Sequence, residues 1–293
     1  MVFLRSVAVF FGLLIVLTVF ISCGTVVRLT DDSVNQTIYG PVSGVDSIVI
    51  YGDTRTQHDI HQKIINNILW QKPIAAFHVG DLVADGNSVS DWATYDSITA
   101  SLNANIPFYP VPGNHEFNSS LYYSHFGLPY DVPWYSVTTR NIHFVMLDSN
   151  TVHPLDPGSI QYEWLSADLK AMSVSIDYVF AVFHHPLLTD GSHPSDETLI
   201  SANIMPLFRQ YGVQAIFAGH NHMYERFWSE GIHFITTGGG GAPLHARQRY
   251  SSSNVVCQST YEYTVLRIYS DKIAVDVLDL NNERIDQFDI YPR

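Results

Sequence analysis

Five short apolar runs in this chain end in the same manner. SIVIY (47–51) leads into Gly52-Asp53-Thr54-Arg55, and AAFHV (75–79) into Gly80-Asp81-Leu82. FYPVP (108–112) leads into Gly113-Asn114-His115-Glu116, YVFAVF (178–183) into His184-His185-Pro186, and VQAIFA (213–218) into Gly219-His220-Asn221-His222. Short apolar runs bounded by turn signals read as buried strands. In α/β sheets the C-terminal strand ends face one crevice, where ligands bind. The shared ending therefore demands an α/β chain that brings five strand ends, each tipped with a carboxylate, amide or imidazole, to one place. Glycines just before most of them suit a backbone that turns sharply beside a site.

The intervening sequence has helical spacing. HDIHQKIINNILW (58–70) sets Ile60, Ile64, Ile65, Ile68 and Leu69 on one face, and 91–102, 161–172 and 197–211 also read as helices, the last broken or kinked at Pro206. Residues 134–139 and 142–148 read as a hairpin about Arg140-Asn141. A strand at 233–238, two alternating strands within 263–280 and a last one near 285–290 make the end of the chain β-rich. Together these elements predict one domain over 46–293, with two packed sheets flanked by helices. At 293 residues and 46% hydrophobic, the chain is ample for such a core.

The formal net charge of −13 repels a nucleic-acid backbone, so no nucleic-acid partner is expected. A chain this acidic that handles phosphate needs local positive charge, and metal ions supply it without basic residues. Fourteen histidines stand against fifteen Lys plus Arg. No Gly-x-Ser-x-Gly turn supports a serine hydrolase.

Residues 1–23 hold one arginine, Arg5, and a long apolar run, which reads as an export signal. Ser22-Cys23-Gly24 resembles a bacterial lipoprotein cleavage box with Cys23 lipidated; an uncleaved signal-anchor and ordinary cleavage are the alternatives. The chain is thus expected to be exported, and membrane-anchored or periplasmic/extracellular. Residues 24–45 read as a tether. If Cys23 carries lipid, Cys257 has no partner for an internal disulfide.

The ordered set GD, GDxx, GNHE, HHP and GHxH resembles the signature of the calcineurin-like metallophosphoesterases, over roughly 46–245. YER after GHNH, and GGGGAPL at 238–244, look most like the purple acid phosphatase-like branch. The resemblance implies a four-layer α/β/β/α sandwich with two mixed sheets, and two metal ions (Fe, Mn or Zn) that clamp the entering and leaving oxygens of a displacement at phosphorus. By motif, Asp81 bridges both ions, Asp53 and His222 hold the first, and Asn114, His184 and His220 hold the second. His115 faces the leaving group. His185, Glu116 and Arg226 support the ligands; Tyr224-Glu225-Arg226 is read as packing with a Glu–Arg pair under the site, or else as a substrate contact. The implied function is hydrolysis of small phosphate monoesters by metal-bound hydroxide. A phosphodiesterase and a non-catalytic, metal-containing surface binding protein are the alternatives, with the cleft wall near Trp134, Tyr135 and 187–196 deciding the ester class.

Two positions depart from the family. The usual Asp-x-His of the first motif has Arg55 in place of histidine, and Ala84 stands where purple acid phosphatases carry the tyrosine that gives their colour. The first ion therefore lacks its usual fourth protein ligand, which water, His58 or His61 is left to supply, and no purple colour is expected. Arg55 is read as a catalytic group gripping a phosphate oxygen, or as an ion pair orienting Asp53 or Asp85. His78 reads as buried and structural. His125, His143, His153, His193, His233 and His245 carry no motif. The glycines at 238–241 read as backbone passing close to the metal site.

Overall fold

Alternate residues of the first strand face opposite layers, and both layers are dry. In this computed structural model, which describes residues 37–151, 154–172, 175–193 and 197–293, β1 (Asp46–Tyr51) sends Ile48 and Ile50 to one side and Val49 and Tyr51 to the other. A strand buried on both faces has to read as a continuous apolar run, and SIVIY does.

The first sheet has the order β13-β12-β11-β1-β2-β3. Here β2 is Ala75–His78, β3 Phe108–Pro110, β11 Glu262–Ile268, β12 Ile273–Asp279 and β13 Arg284–Ile290. β1, β2 and β3 are parallel, and the C-terminal strands join antiparallel. The second sheet has the order β10-β8-β9-β7-β6-β5-β4, from β4 (Tyr135–Thr139), β5 (Ile142–Met146), β6 (Tyr178–Val182), β7 (Ala215–Ala218), β8 (Tyr224–Ser229), β9 (Ile232–Thr237) and β10 (Asn254–Gln258). Its β5, β6, β7 and β9 are parallel and the rest antiparallel, so both sheets are mixed.

Ile48, Ile50 and Phe77 of the first sheet meet Phe144, Phe180 and Phe217 of the second in the central core, with Phe77 stacked on Phe144 at 4.1 Å. Two helices, α1 (His58–Gln71) and α2 (Val89–Asn103), cover the outer face of the first sheet with Ile64, Ile65, Ile68, Ile98 and Leu102. Two more, α4 (Ile160–Ala171) and α5 (Glu197–Tyr211), cover the second with Leu165, Leu169, Ile204 and Phe208. The result is the four-layer sandwich. On α1 the buried stripe is shifted: His61 is buried, while Ile60 and Leu69 lie at its edge.

Three elements lie outside the sequence expectation. α3 (Ser120–Phe126) is a seven-residue helix defined by its caps, Ser119 accepting from the Tyr122 N–H and Gly127 closing at φ 64°. β8 carries Glu225 and Arg226 at buried positions, which breaks the alternation that marks a strand. β10 is an edge strand with no fully buried residue. The expected break at Pro206 does not occur: α5 spans it, with Ile204, Leu207 and Phe208 packed on the sheet on both sides of the proline. Residues 1–36, with the expected signal, Cys23 and most of the tether, lie outside the described residues. Among the described residues no helix is long and apolar enough to cross a membrane, and Cys257 is a free thiol.

Arg226 does not pair with Glu225 beneath the site. Its Nε and Nη2 donate to Asp286 of β13 at 2.6 and 3.1 Å, Tyr224 Oη donates to the same carboxylate at 2.7 Å, and the guanidinium lies 4.4 Å over the Phe288 ring. Arg226 therefore ties the second sheet to the first. The reason is register: neighbouring strand residues point to opposite faces, so Arg226 turns inward between the sheets while Glu225 turns to the 189–190 loop. Replacing Arg226 with Ala leaves Asp286 without its charged partner and is expected to cost about 3 kcal/mol of unfolding free energy in urea titrations, with no change in bound metal.

Candidate metal centre

The turns that follow the strands are made by the site residues themselves. Asp53, Asp81 and His220 have φ of 56°, 57° and 67°, a left-handed conformation uncommon for residues with a side chain. Backbone bonds lace these turns together: Asp53 N donates to Gly80 O at 3.0 Å, Thr54 N to Asp81 O at 2.9 Å and Ala242 N to Asp53 O at 2.7 Å. Among the four glycines that precede site residues only Gly80 has a positive φ. Gly219 and Gly113 serve chiefly to leave space: a Cβ there would sit 2.3 Å from Asp53 Oδ2 and 2.2 Å from Asp81 Oδ1. The 238–241 run passes the same carboxylate, with a Cβ on Gly238 falling 3.0 Å from Asp53 Oδ2.

Four donor atoms converge at the ends of β2, β3, β6 and β7. Asn114 Oδ1 lies 3.0 Å from both His184 Nε2 and His220 Nδ1, which are 3.3 Å apart, and Asp81 Oδ1 lies 3.4 Å from His184 Nε2. His184 is aimed by donating its Nδ1–H to Val79 O at 2.9 Å, leaving Nε2 as a lone-pair donor. These are the residues assigned by motif to the second ion, with Asp81 as the bridge.

A second group joins Asp53, Asp81 and His222. His222 donates Nδ1–H to Pro243 O at 2.7 Å, which turns Nε2 toward Asp53 Oδ1, 3.6 Å away. The His220 N–H donates to both oxygens of Asp53 at 3.1 Å. Arg55 enters this group. Its Nε stands 3.3 Å from Asp81 Oδ2 and its Nη2 3.5 Å from His222 Nε2. Its carboxylate partner is thus Asp81 and neither Asp53 nor Asp85. Neither His58 nor His61 joins either group among the described residues: His61 is buried between Tyr51 and Tyr95, and His58 is exposed.

Glu116 lies beneath both loops and accepts the N–H groups of Asp81, Val83 and Gly113 at 3.0, 3.0 and 2.9 Å. Burial, then the charge of Asp81, pushes its pKa up to about 8, against the pull of those three donors. His78 is buried; it accepts the Gly80 N–H on Nδ1 and holds Thr54 Oγ1, which donates to Leu82 O. His115 donates Nδ1–H to Ala84 O at 2.6 Å, and its Nε2 lies 3.7 Å from Asp81 Oδ2 at the open side of the cleft. His185 bonds Ser149 through Nδ1 at 2.8 Å and groups with His184 and His220 closely enough to offer a ligand atom.

Two histidines without a motif also reach the cleft. His245 stacks on His222 at 3.9 Å and accepts the His222 N–H at 3.2 Å. His193 lies 4.6 Å from the His220 ring and 5.2 Å from that of His245. No local spacing betrays either one, because each arrives on a loop held from elsewhere. Asn221, buried, fixes the first loop by accepting from Ser192 N and His193 N and donating to Thr189. Tyr135 donates its hydroxyl to Pro110 O at 2.7 Å, and Trp134 is buried.

The charge pattern fits metal ions. Burial pushes the pKa values of Asp53 and Asp81 upward, and for Asp53 the charge of Asp81 adds to the effect. Burial and neighbouring histidines push His184, His220 and His222 down, the last two to about 2 and about 3. Neutral imidazoles beside buried carboxylates are what a bound cation relieves. The donors are oxygen and nitrogen with no thiolate, as Fe, Mn and Zn accept.

Comparison with known proteins agrees with this geometry. The family model for calcineurin-like phosphoesterases matches residues 47–224. Purple acid phosphatase 21 of Arabidopsis thaliana is 27% identical over 235 residues, covering 70% of this chain and 53% of that protein. Acid phosphatase type 7 of Danio rerio is 28% identical over 183 residues, covering 52% of this chain and 41% of that one. The chain thus spans about half the length of these curated relatives or less. The purple acid phosphatase PPD1 of yellow lupin superposes with a TM-score of 0.75 at 18% identity, over 87% of this chain and 55% of that one. GAP50 of Plasmodium superposes at 0.70 and 16% identity, over 85% and 89%. These two structures share the fold. With the family pattern matched from β1 to the start of β8 and its strand-end residues gathered into one cleft, the chain belongs to the calcineurin-like phosphoesterase family.

Proposed function

We propose that this protein hydrolyses phosphate esters, monoesters foremost, at a centre for two metal ions. The observation that carries this is the position of Asp81, whose Oδ1 joins Asn114, His184 and His220 and whose carboxylate also belongs to the group with Asp53 and His222. When bound, two ions sharing a carboxylate supply positive charge to the phosphoryl oxygens and acidify the attacking water. Asp53, Asp81 and His222 would hold the first, and Asp81, Asn114, His184 and His220 the second. His115, anchored through Nδ1, offers a proton from Nε2 to the leaving oxygen when its ring is protonated. Arg55 presents the guanidinium edge for a phosphoryl oxygen. Glu116 keeps the Asp81 and Gly113 turns in place. The preference for monoesters rests on the purple acid phosphatase relatives.

We also propose export, with membrane attachment through residues 1–23. Cys23→Ser is expected to release the protein from the detergent phase if a lipid on Cys23 is the anchor, and to leave it there if the apolar segment is.

The enzymatic proposal is tested with an aryl phosphate and added Mn, Zn or Fe. Asn114→Ala and His222→Ala are each expected to lower kcat/KM by about 100-fold or more. Wild-type rates in both variants would remove the metal-centre assignment. Faster turnover of an aryl diester than of the matching monoester would move the substrate class to diesters. His115→Ala is expected to slow alkyl phosphates by about 100-fold and aryl phosphates far less, because a good leaving group needs little protonation. Equal losses on both would remove the acid role.

A further inference from the structure

Arg55 contacts two of the three residues of the first metal group. Its Nε is 3.3 Å from Asp81 Oδ2 and its Nη2 3.5 Å from His222 Nε2, and the side chain is only 20% exposed. A guanidinium stays charged in a protein and has no lone pair to give, so it cannot serve as a ligand.

The second group contrasts with the first. Its four donors lie 3.0 to 3.4 Å from their neighbours in the set. Those separations resemble the edges of a tetrahedron of ligands about an ion with bonds of about 2.1 Å. The first group has three donors, and where a fourth ligand belongs it has a fixed positive charge.

We propose that the two metal positions are unequal by construction: the ion at Asp81, Asn114, His184 and His220 binds tightly and first, and the ion at Asp53, Asp81 and His222 binds weakly, because Arg55 stands beside it as a competing cation. This rests on the metal-centre reading above. Its consequence is that the two-ion state of the protein follows the free metal concentration around it, while the one-ion state persists when metal is scarce.

The test counts metal. Chelator-stripped protein is reloaded with Mn(II) or Zn(II), desalted, and measured by elemental analysis, with circular dichroism to confirm folding. The wild type is expected to keep about one ion per chain, and Arg55→His, which restores an imidazole ligand, about two. His220→Ala is expected to lose the tight ion, and His222→Ala to keep it. Arg55→Gln, which removes charge without adding a ligand, is expected to tighten the second Kd by about tenfold or more in calorimetric titrations, and it serves if the histidine variant does not fold. Two retained ions in the wild type, equal losses in His220→Ala and His222→Ala, or an unchanged second Kd in Arg55→Gln would each overturn the inequality while leaving the metal centre standing. A wild type that retains no metal would overturn both.

Discussion

Burying two carboxylates beside each other is the demand that the rest of this structure answers. Asp53 and Asp81 are almost fully buried, and burial alone opposes their charge. The fold brings three kinds of compensation: backbone N–H groups from His115 and His220, the guanidinium of Arg55, and imidazole nitrogens placed to share a cation with them. Burial and neighbouring histidines keep His184, His220 and His222 neutral, the form in which an imidazole can hold a cation. Asp81 is the pivot, since one of its oxygens faces the second group and the other faces Arg55.

The scaffold supports that pivot at a conformational cost. Three site residues take left-handed backbone angles that their side chains disfavour. They are held there by bonds between successive strand-end turns and by Glu116, which gathers three N–H donors under the site. The turns cannot relax singly, because each is bonded to the next. The strands behind them are locked between two dry cores, so strain at the tips is resisted by packing along the whole sheet.

Arg55 gives the site its individual character. In the place of a ligand it brings a fixed positive charge beside Asp81 and His222. The histidines at 193 and 245 crowd the same mouth, stacked toward His220 and His222, so the cleft is lined by imidazole well beyond its ligands. Arg226, by contrast, serves the sandwich and not the site, tying β8 to Asp286 across the sheets.

Much of this was legible in the chain alone. Strands buried on both faces must be continuous apolar runs, and residues that follow them in an α/β order must meet at one edge, so the turns carrying Asp53, Asp81, Asn114, His184, His220 and His222 could be placed at one cleft, while the resemblance to the calcineurin-like metallophosphoesterases singled out those six as ligands. The support of Glu116 and the buried role of His78 accompany those same turns. What the chain could not disclose were contacts between residues far apart in sequence: Arg55 against Asp81 and His222, Arg226 against Asp286, and His245 upon His222. Local periodicity sets which face of a strand or helix is apolar. The partner of a lone charge or imidazole depends on how separate loops cross, and packing two sheets face to face is what brings those loops together.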